Sequence, residues 1–441
     1  MAQPKSLDRD NPRGIGNSSQ IVQHRVLSDQ VKQAIVVHRS DALMDAPVDV
    51  RIHGSLEEIE AEFRLFEKTA DRTVFQSFDW LAKWQRHIGT EIGTVPILAV
   101  GRDPRGEILF IFPLAVETRS TVRRLRWLAS DLCDYNAPLL APHFSDYVTR
   151  TRFLAIWRDL LARLAADHRL RFDLVDLPKM PQHVGAQANP FLYLEHRPNP
   201  SGAYVATLGT DWESYYALKR SSNTRRKERR QLRHLAEFGE LKFHHEIESQ
   251  EAERTIEVLY QQKSHILSRM GAEDIFARPG YRAFFRDIVT DPAVRSLAHI
   301  TRFDVGPVIG AVNLILTFRD RSYLVLSSYY DGEFTRHGPG RALLYDLLRE
   351  AMIKGFRYFD FTIGDEGYKR DWSDINLVLY DHLAAGSLRG RAVLAGTLAF
   401  RSTKRLIKQT PVLWRAFNRL RAMAGRSAPA REKSAEAERE E

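Results

Sequence analysis

The chain has 441 residues, 44% of them hydrophobic and 27% charged, which is the composition of a globular protein and is long for one domain. Cys133 is the only cysteine, so an internal disulfide is excluded and a reducing compartment is favoured. The first residues lack the apolar core of a secretion signal, and no apolar run approaches the ~20 residues that cross a bilayer. We therefore expect a cytoplasmic protein with two domains or one duplicated domain.

The formal net charge of +9 is concentrated in two segments. Residues 382–431 contain eleven Arg or Lys and no acid, and residues 219–233 contain eight basic residues beside the single acid Glu228. The remainder of the chain is therefore acidic. Two local basic patches on an acidic body differ from the uniform positive surface of a protein that coats nucleic acid.

The first half predicts a hairpin, a helix and a further strand, in that order. The hairpin strands are expected at Pro96–Val100 and Ile108–Leu114, on either side of a turn rich in Gly, Asp and Pro. Apolar residues at helical spacing predict a helix over 150–168, and Phe172–Leu177 reads as the next strand. Residues 1–47, before these elements, are poor in large apolar residues and are expected to be disordered.

The second half repeats this order about two hundred residues later. Strands are expected at Leu297–Phe303, Val308–Phe318 and Ser322–Ser328, followed by a helix over 340–354 that ends at Gly355, and a strand at Tyr358–Thr362. Strands joined by a helical crossover make a mixed α/β sheet. The same plan occurring twice indicates an internal duplication.

Helices are expected between the two halves. A capping box at Thr210–Glu213 begins the first, and the others are expected over 224–238, 249–270 and 279–288. The predicted organisation is a disordered tail (1–47), an N-terminal lobe (48–200), a C-terminal lobe with a helical insert (201–385), basic amphipathic helices (386–424) and a second disordered tail (425–441).

The segment Arg336–Leu344 carries the strongest local signal for a ligand. Its Gly-Pro-Gly turn follows a strand and opens a helix, an arrangement in which main-chain amides and the helix N-terminus bind a pyrophosphate. The alternative is a plain connection whose glycines only form a turn. The spacing matches neither a dinucleotide fingerprint nor a Walker loop. The candidate cofactor-binding residues here are His337, Gly338, Gly340, Arg341 and Ala342.

The segment Asp360–Trp372 groups an acid, a tyrosine and a lysine after a strand. Tyr368 could donate a proton to a leaving thiolate, and a carboxylate such as Asp360 or Asp365 could accept one from the attacking group. With Lys369, these residues are the candidate catalytic set. The alternative is a solvated loop in which Trp372 anchors the core.

The stretch from the Val308 strand through Gly338-Pro-Gly340 to Tyr368-Lys-x-x-Trp372 resembles GNAT acetyltransferases of the cellulose-biosynthesis (CelD/BcsL-like) type, which are relatives of FemAB-like aminoacyl transferases. The segment 75–84 is similar to the aromatic motif found early in that family, and the resemblance covers 48–385. It implies a duplicated GNAT fold, a degenerate acceptor-side N-terminal lobe, and an acyl-CoA, in the first instance acetyl-CoA, as donor.

The resemblance also implies the mechanism. An amine or hydroxyl attacks the thioester carbonyl, and a main-chain N–H of a splayed central strand near Asn313, Leu314 and Ile315 polarises the carbonyl oxygen before the thiolate leaves. Cys133 is not expected to be a covalent nucleophile, because no histidine and acid accompany it in a recognisable pattern. His244 and His245 lack partners at metal spacing, so no metal is expected.

Acceptor-binding candidates are spread along the chain. Asp131-x-x-Asp134-Tyr135 could line a cleft between the lobes, or could be an ordinary turn. The basic run 219–233 could bind coenzyme phosphates, an anionic acceptor or a tRNA, or could be a plain exposed helix. The candidate substrate-binding residues are Trp80, Asp134, Tyr135, Arg226, Tyr330 and Trp372.

The C-terminal segment 388–423 mixes apolar and basic residues at helical spacing. Such a helix suits an anionic membrane surface, and docking onto the acidic body is an alternative. The main hypothesis is a bacterial acyltransferase of exopolysaccharide or envelope synthesis, cytoplasmic or peripheral at the membrane, monomeric or homodimeric, acting on a small molecule or glycan precursor. The alternatives are an aminoacyl-tRNA-dependent transferase and a non-catalytic assembly factor.

Overall fold

The computed structural model describes residues 47–245 and 247–396. Residues 1–46 of the first predicted disordered tail, the second tail at 425–441 and the predicted basic amphipathic segment from residue 397 on lie outside the described residues. The described chain forms two lobes, each built on one mixed β-sheet. The prediction of an α/β fold with mixed sheets is confirmed.

The sheet of the N-terminal lobe begins with four antiparallel strands. A helix then returns the chain to the sheet, and the following strand runs parallel to the fourth. The strands, numbered in chain order, are β1 (Asp49–His53), β2 (Val95–Arg102), β3 (Ile108–Arg119), β4 (Val122–Trp127) and β5 (Leu174–Pro181). Two-residue strands at 139–140 and 197–198 also pair with this sheet, and those at 183–184 and 187–188 pair with each other as a separate two-stranded sheet.

The sheet of the C-terminal lobe repeats this arrangement. Four antiparallel strands, β7 to β10, are followed by a helix and by β11, which lies parallel to β10. The strands of the second half are β6 (Ala203–Thr207), β7 (Leu241–His244), β8 (Ala298–Val305), β9 (Val308–Phe318), β10 (Arg321–Tyr329), β11 (Tyr358–Ile363), β12 (Ile375–Leu377) and β13 (Leu379–Ala385). The two sheets therefore share one strand plan, as the repeated sequence pattern predicts.

One strand crosses between the two lobes. β6, the first strand of the C-terminal lobe, pairs antiparallel with β11 of the same lobe. β13, the last strand of the C-terminal lobe, instead pairs antiparallel with β5 of the N-terminal sheet. The predicted boundary at 200/201 assigns residues 379–385 to the C-terminal lobe, whereas the ladder places them in the N-terminal sheet. The end of the C-terminal lobe thus completes the sheet of the N-terminal lobe.

The helices cover both faces of each sheet. They are α1 (Glu60–Phe66), α2 (Phe78–Trp84), α3 (Phe144–Tyr147), α4 (Arg150–Ala166), α5 (Trp212–Lys219), α6 (Ser222–Ala236), α7 (Ser249–Arg269), α8 (Tyr281–Thr290), α9 (Pro339–Ile353) and α10 (Gly367–Trp372). One apolar cluster lies under α4, a second lies under α9, and a third combines residues of both lobes with α2, α7 and α8. Burial of this shared core holds the lobes together.

Two helix starts differ from their predicted positions for local reasons. The side chain of Asp211 accepts the N–H of Ser214, so Asp211 caps α5 instead of Thr210. Helix α9 begins at Pro339, since Gly338 adopts φ +72° and forms the N-cap while proline supplies a preset helical φ.

Candidate functional site

The parallel strands β10 and β11 diverge after three residue pairs. Arg321 pairs with Tyr358, Ser322 with Phe359, and Tyr323 with Asp360, after which β10 continues to Tyr329 without β11 beside it. Main-chain groups along this edge of β10 therefore lack a neighbouring strand. Such an edge can hydrogen-bond an extended ligand, as a strand edge binds a peptide.

Thr362 fixes the point of divergence. Its φ of +58° is unfavourable for a β-branched residue, and its side chain is 2% exposed. The Thr362 hydroxyl donates across the gap to the carbonyl of Leu324 at 3.1 Å, and its N–H donates to Asp360 at 2.8 Å. The ladder to β6 shifts register at the same place, which bends β11 away from β10.

The Gly-Pro-Gly turn lies at the N-terminus of α9, beside the end of β10. A Cβ on Gly340 would contact Tyr329 at 3.5 Å. The N–H of Gly338 donates to Thr335 O at 2.9 Å, and those of Arg341 and Ala342 donate to Gly338 O. This corrects the expectation that several main-chain amides await the ligand. The exposed guanidinium of Arg341, at 2.8 Å from a Cβ built on Gly338, supplies the positive charge with the helix N-terminus.

The basic helix α6 packs beside this turn. The ring of His234 on α6 lies 5.1 Å from the ring of His337, and Phe238 lies 6.0 Å from His337. Arg226 is on this helix and is exposed. The two strongest basic signals of the second half, 219–233 and 336–341, are therefore neighbours, which their separation of about one hundred residues did not predict. Together they form a cationic surface at the open end of the diverging strands.

Two lysines hold the ends of the diverging strands. The ammonium of Lys263 on α7 donates to Ser327 O of β10 at 3.0 Å, and that of Lys369 on α10 donates to Ile363 O of β11 at 2.8 Å. Burial, with a smaller effect of Lys369, lowers the pKa of Lys263. The sequence predicted Lys369 as a site residue but not Lys263. A signal for Lys263 was present, because it lies four residues after the buried Leu259 and seven after the buried Ile256, on the same face of the helix.

Asp360 joins the lobes at the point of divergence. Its carboxylate accepts hydrogen bonds from Tyr135 Oη at 2.7 Å, Arg321 at 3.0 Å and Thr362 N at 2.8 Å. Burial raises the pKa of Asp360, although Arg321 and Tyr135 oppose that shift. A carboxylate with no exposed surface and three donors is better suited to position Tyr135 and Arg321 than to accept a proton from a substrate.

Asp134 lies at the same place. Burial raises the pKa of its carboxyl against the opposing effects of Lys179 and Thr362. The Asp134-Tyr135 pair thus lies between the lobes, as one of the two sequence interpretations holds. Cys133 is buried, and burial raises the pKa of its thiol, which opposes formation of a nucleophilic thiolate.

The predicted carbonyl-polarising strand is wrong. Residues Asn313, Leu314 and Ile315 lie within β9, which pairs with β8 on one side and β10 on the other. Their main-chain groups belong to these two ladders. The edge without a neighbouring strand is on β10, because β11 parts from β10 after Asp360, whereas β9 has a partner strand on both sides.

Three predicted substrate-binding aromatics have packing roles. Trp80 is 0% exposed and meets Phe284 edge-on at 4.9 Å in the shared core. Trp372 is 2% exposed and stacks on Tyr216, so it anchors the core, although residues 367–372 form a helix and not the solvated loop of that alternative. Tyr330 packs against Phe334 at 4.7 Å and supports the turn before α9.

Tyr368 is half-buried and packs against Phe361 of β11. Burial raises the pKa of its hydroxyl, so the group is protonated at neutral pH. Its role as proton donor to a thiolate stays a prediction. Within residues 47–245 and 247–396, no group of three or more His, Cys, Asp or Glu is arranged to hold a metal, and no helix is long and apolar enough to cross a membrane.

Comparison with known families gives a match in the C-terminal lobe. Residues 222–370 match the family described as an acetyltransferase (GNAT) domain, and this segment contains α6, the diverging strands, the glycine turn and Lys369. This part of the C-terminal lobe is therefore similar to a GNAT acetyltransferase domain. No curated protein matches the sequence significantly.

Solved structures of low sequence identity are similar over most of the chain. FemX is 10% identical with a TM-score of 0.48, covering 76% of this chain and 95% of FemX. L-PGS from Bacillus licheniformis is 13% identical with a TM-score of 0.45, covering 78% and 97%. A tandem GNAT protein from the clavulanic acid biosynthesis pathway is 12% identical with a TM-score of 0.42, covering 77% and 99%.

Proposed function

We propose that the protein is an acyltransferase that moves an acyl group, in the first instance acetyl, from acyl-CoA to an amine or hydroxyl of a small molecule or a glycan or envelope precursor. The observation that carries the proposal is the divergence of β10 from β11 beside the N-terminus of α9. An extended donor arm with amide groups can pair with the open edge of β10, while its phosphates meet the cationic surface.

The reaction requires that negative charge on the carbonyl oxygen be stabilised. The attacking nitrogen or oxygen forms a bond to the acyl carbon and loses one proton, the carbon–sulfur bond breaks, and the departing thiolate takes up one proton to become the free thiol. Lys263 and Lys369 flank the gap with ammonium groups that already bind main-chain oxygens of its two walls. A developing oxyanion between these walls would find two cations in a place of limited solvent access.

Thermal unfolding with coenzyme A and acetyl-CoA tests this proposal. We expect both to raise the melting temperature, because a ligand that binds only the folded state stabilises it by RT ln(1 + [L]/Kd). ADP without the pantetheine arm should stabilise less. The absence of any shift at millimolar acetyl-CoA would remove the donor assignment.

A tRNA-dependent transfer is the second candidate, and the exposed basic face of α6 beside the turn is the observation that favours it. It predicts salt-dependent tRNA binding that is lost when Arg225, Arg226, Arg229 and Arg230 are replaced by Ala. The assignment to the cellulose-biosynthesis type, the bacterial envelope role and the peripheral membrane contact through 388–423 belong to the proposal.

A further inference from the structure

A cleft of about 470 Å³ lies between the two lobes. It is at the beginning of β10, whereas the glycine turn is beside the end of that strand. Its lining includes Arg72 and Tyr135 from the N-terminal lobe, and Arg319, Arg321 and Tyr323 from the C-terminal lobe. Tyr323 is the last residue of β10 that pairs with β11. The cleft therefore reaches the point where the strands part.

Three guanidinium groups line this cleft. Arg72 lies 4.1 Å and Arg319 lies 5.1 Å from the ring centre of Phe318. Both side chains form an ion pair with an acid that does not line the cleft. Glu67 lies 3.7 Å from Arg72, and Asp71 lies 3.2 Å from Arg319.

Asp360 fixes the third guanidinium, that of Arg321, at 3.0 Å. A guanidinium carries five N–H donors, so an acid behind it fixes its direction and leaves donors for a ligand.

The backbone at Arg319 indicates that its side chain has a use. Arg319 and Asp320 form the two-residue turn between β9 and β10, and Arg319 has φ +54°, a conformation that favours Gly or Asn. The duplicated turn between β3 and β4 carries Ser120 at the same position with φ +56°. An arginine placed there gains nothing from the local backbone, and its guanidinium reaches the cleft instead.

Like charges meet in the cleft. Burial lowers the pKa of Arg72, Glu67 opposes that shift, and the charge of Arg319 adds a smaller lowering. The lining also includes the acid Asp320, but the three guanidinium groups outnumber it, so a bound anion would be favoured by the charge of the cleft. A cleft of this volume suits one sugar or one amino acid with its charged group.

We infer that this cleft takes the acyl acceptor and that the acceptor carries an anionic group, a carboxylate or a phosphate, bound by Arg319 with Arg72 and Arg321. The inference rests on the proposed function, since it places the acceptor across the diverging strands from the donor. It predicts an acidic sugar, a sugar phosphate or an amino acid as the substrate class rather than a neutral or cationic molecule.

The experiment compares Arg319→Asn with Ser120→Asn. Asn tolerates a left-handed backbone, so both variants are expected to fold, and only the first removes a cleft charge. Inorganic phosphate and malonate serve as the probes at millimolar concentration, against sodium chloride of equal ionic strength. Thermal unfolding is measured for the wild type and both variants, because the basic helix α6 contributes equally to all three.

We expect phosphate or malonate to stabilise the wild type and Ser120→Asn, and to bind Arg319→Asn about tenfold more weakly, since a charged hydrogen-bond partner is lost. The more effective probe distinguishes a phosphate from a carboxylate acceptor. Equal stabilisation of the two variants by both anions, or none in the wild type, would overturn the inference.

A parallel titration with acetyl-CoA separates this inference from the proposed function. Arg319→Asn should bind acetyl-CoA as the wild type does, because Arg319 lies in the cleft and away from the glycine turn. A wild type that binds phosphate through Arg319 but not acetyl-CoA would contradict the donor assignment alone.

Discussion

Tyr135 of the N-terminal lobe donates a hydrogen bond of 2.7 Å to Asp360 of the C-terminal lobe, where β10 and β11 part. Both residues are buried, and burial together with the Asp360 charge raises the pKa of the tyrosine, so it remains a donor at neutral pH. One hydrogen bond thus connects the two lobes to the geometry of the candidate site.

Replacing Tyr135 by Phe removes this donor while preserving the ring contact with Phe75. We expect the free energy of unfolding to fall by about 1.5–3 kcal/mol, because the bond is made to a buried charge. Urea unfolding measures this loss. Tyr193→Phe is the control, because Tyr193 is 37% exposed and its replacement should change the stability little. Equal losses of stability in the two variants would show that the hydrogen bond to Asp360 does not stabilise the fold.

Thr362→Val keeps the shape of the side chain and removes the hydroxyl that bridges to Leu324 O. The buried carbonyl then lacks this donor, so we expect a loss of about 1–3 kcal/mol and weaker acetyl-CoA binding. Thr362→Ser keeps the hydroxyl and removes the β-branch, and should retain both properties. If Thr362→Val and Thr362→Ser are equally stable and bind acetyl-CoA equally well, the hydrogen bond from Thr362 to Leu324 O does not determine how β10 and β11 separate.

Lys83 connects the lobes a second time. Its ammonium lies 2.7 Å from Asp287 of α8 and from Asp291, which follows α8, and its side chain is 7% exposed. Lys83→Met removes this cation from both acids and leaves Asp287 with His87, and we expect the free energy of unfolding to fall by about 1.5–3 kcal/mol at pH 7. The exposed Lys242→Met is the control, and chemical denaturation is the measurement.

The same cluster predicts a pH dependence. Burial of Asp287 opposes ionisation, but hydrogen bonds from Lys83 and His87 outweigh it and the pKa lies below its ordinary value; the Lys83 bond lowers the pKa of Asp291. Groups with a lowered folded pKa stabilise the protein above their unfolded pKa of about 3.9, and this stability is lost as pH falls through the folded pKa. The wild type should therefore lose more stability than Lys83→Met on acidification below about pH 4. Parallel acid-side curves for the two proteins would contradict this.

Local patterns predicted the elements of the second half closely. The apolar stripe of α9 and the alternation of β8 to β11 are local properties, and their observed bounds differ from the predicted ones by one or two residues. The pairing of β13 with the N-terminal sheet could not be predicted in this way. It joins residues 379–385 to residues 174–181, about two hundred positions earlier, and no local pattern indicates such a partner.

The sequence predicted those parts of the candidate site that lie within one short segment. The glycine turn and Lys369 each follow a predicted strand, so the sequence placed both at a strand end. The Tyr135–Asp360 bond spans 225 residues, and the packing of α6 beside the turn depends on the fold of the insert. Lys263 was visible as a lysine on an apolar stripe, but a snorkelling surface residue gives the same pattern.

The proposed function requires that a thioester carrier bind at the diverging strands beside the N-terminus of α9. Calorimetric titration of acetyl-CoA into the wild type, Arg341→Glu and Arg349→Glu tests it most directly, since both arginines are exposed on α9 and only Arg341 adjoins the turn. The account predicts that Arg341→Glu weakens binding about tenfold or more while Arg349→Glu matches the wild type. Identical affinities for the two variants, or no heat of binding in the wild type, would contradict it.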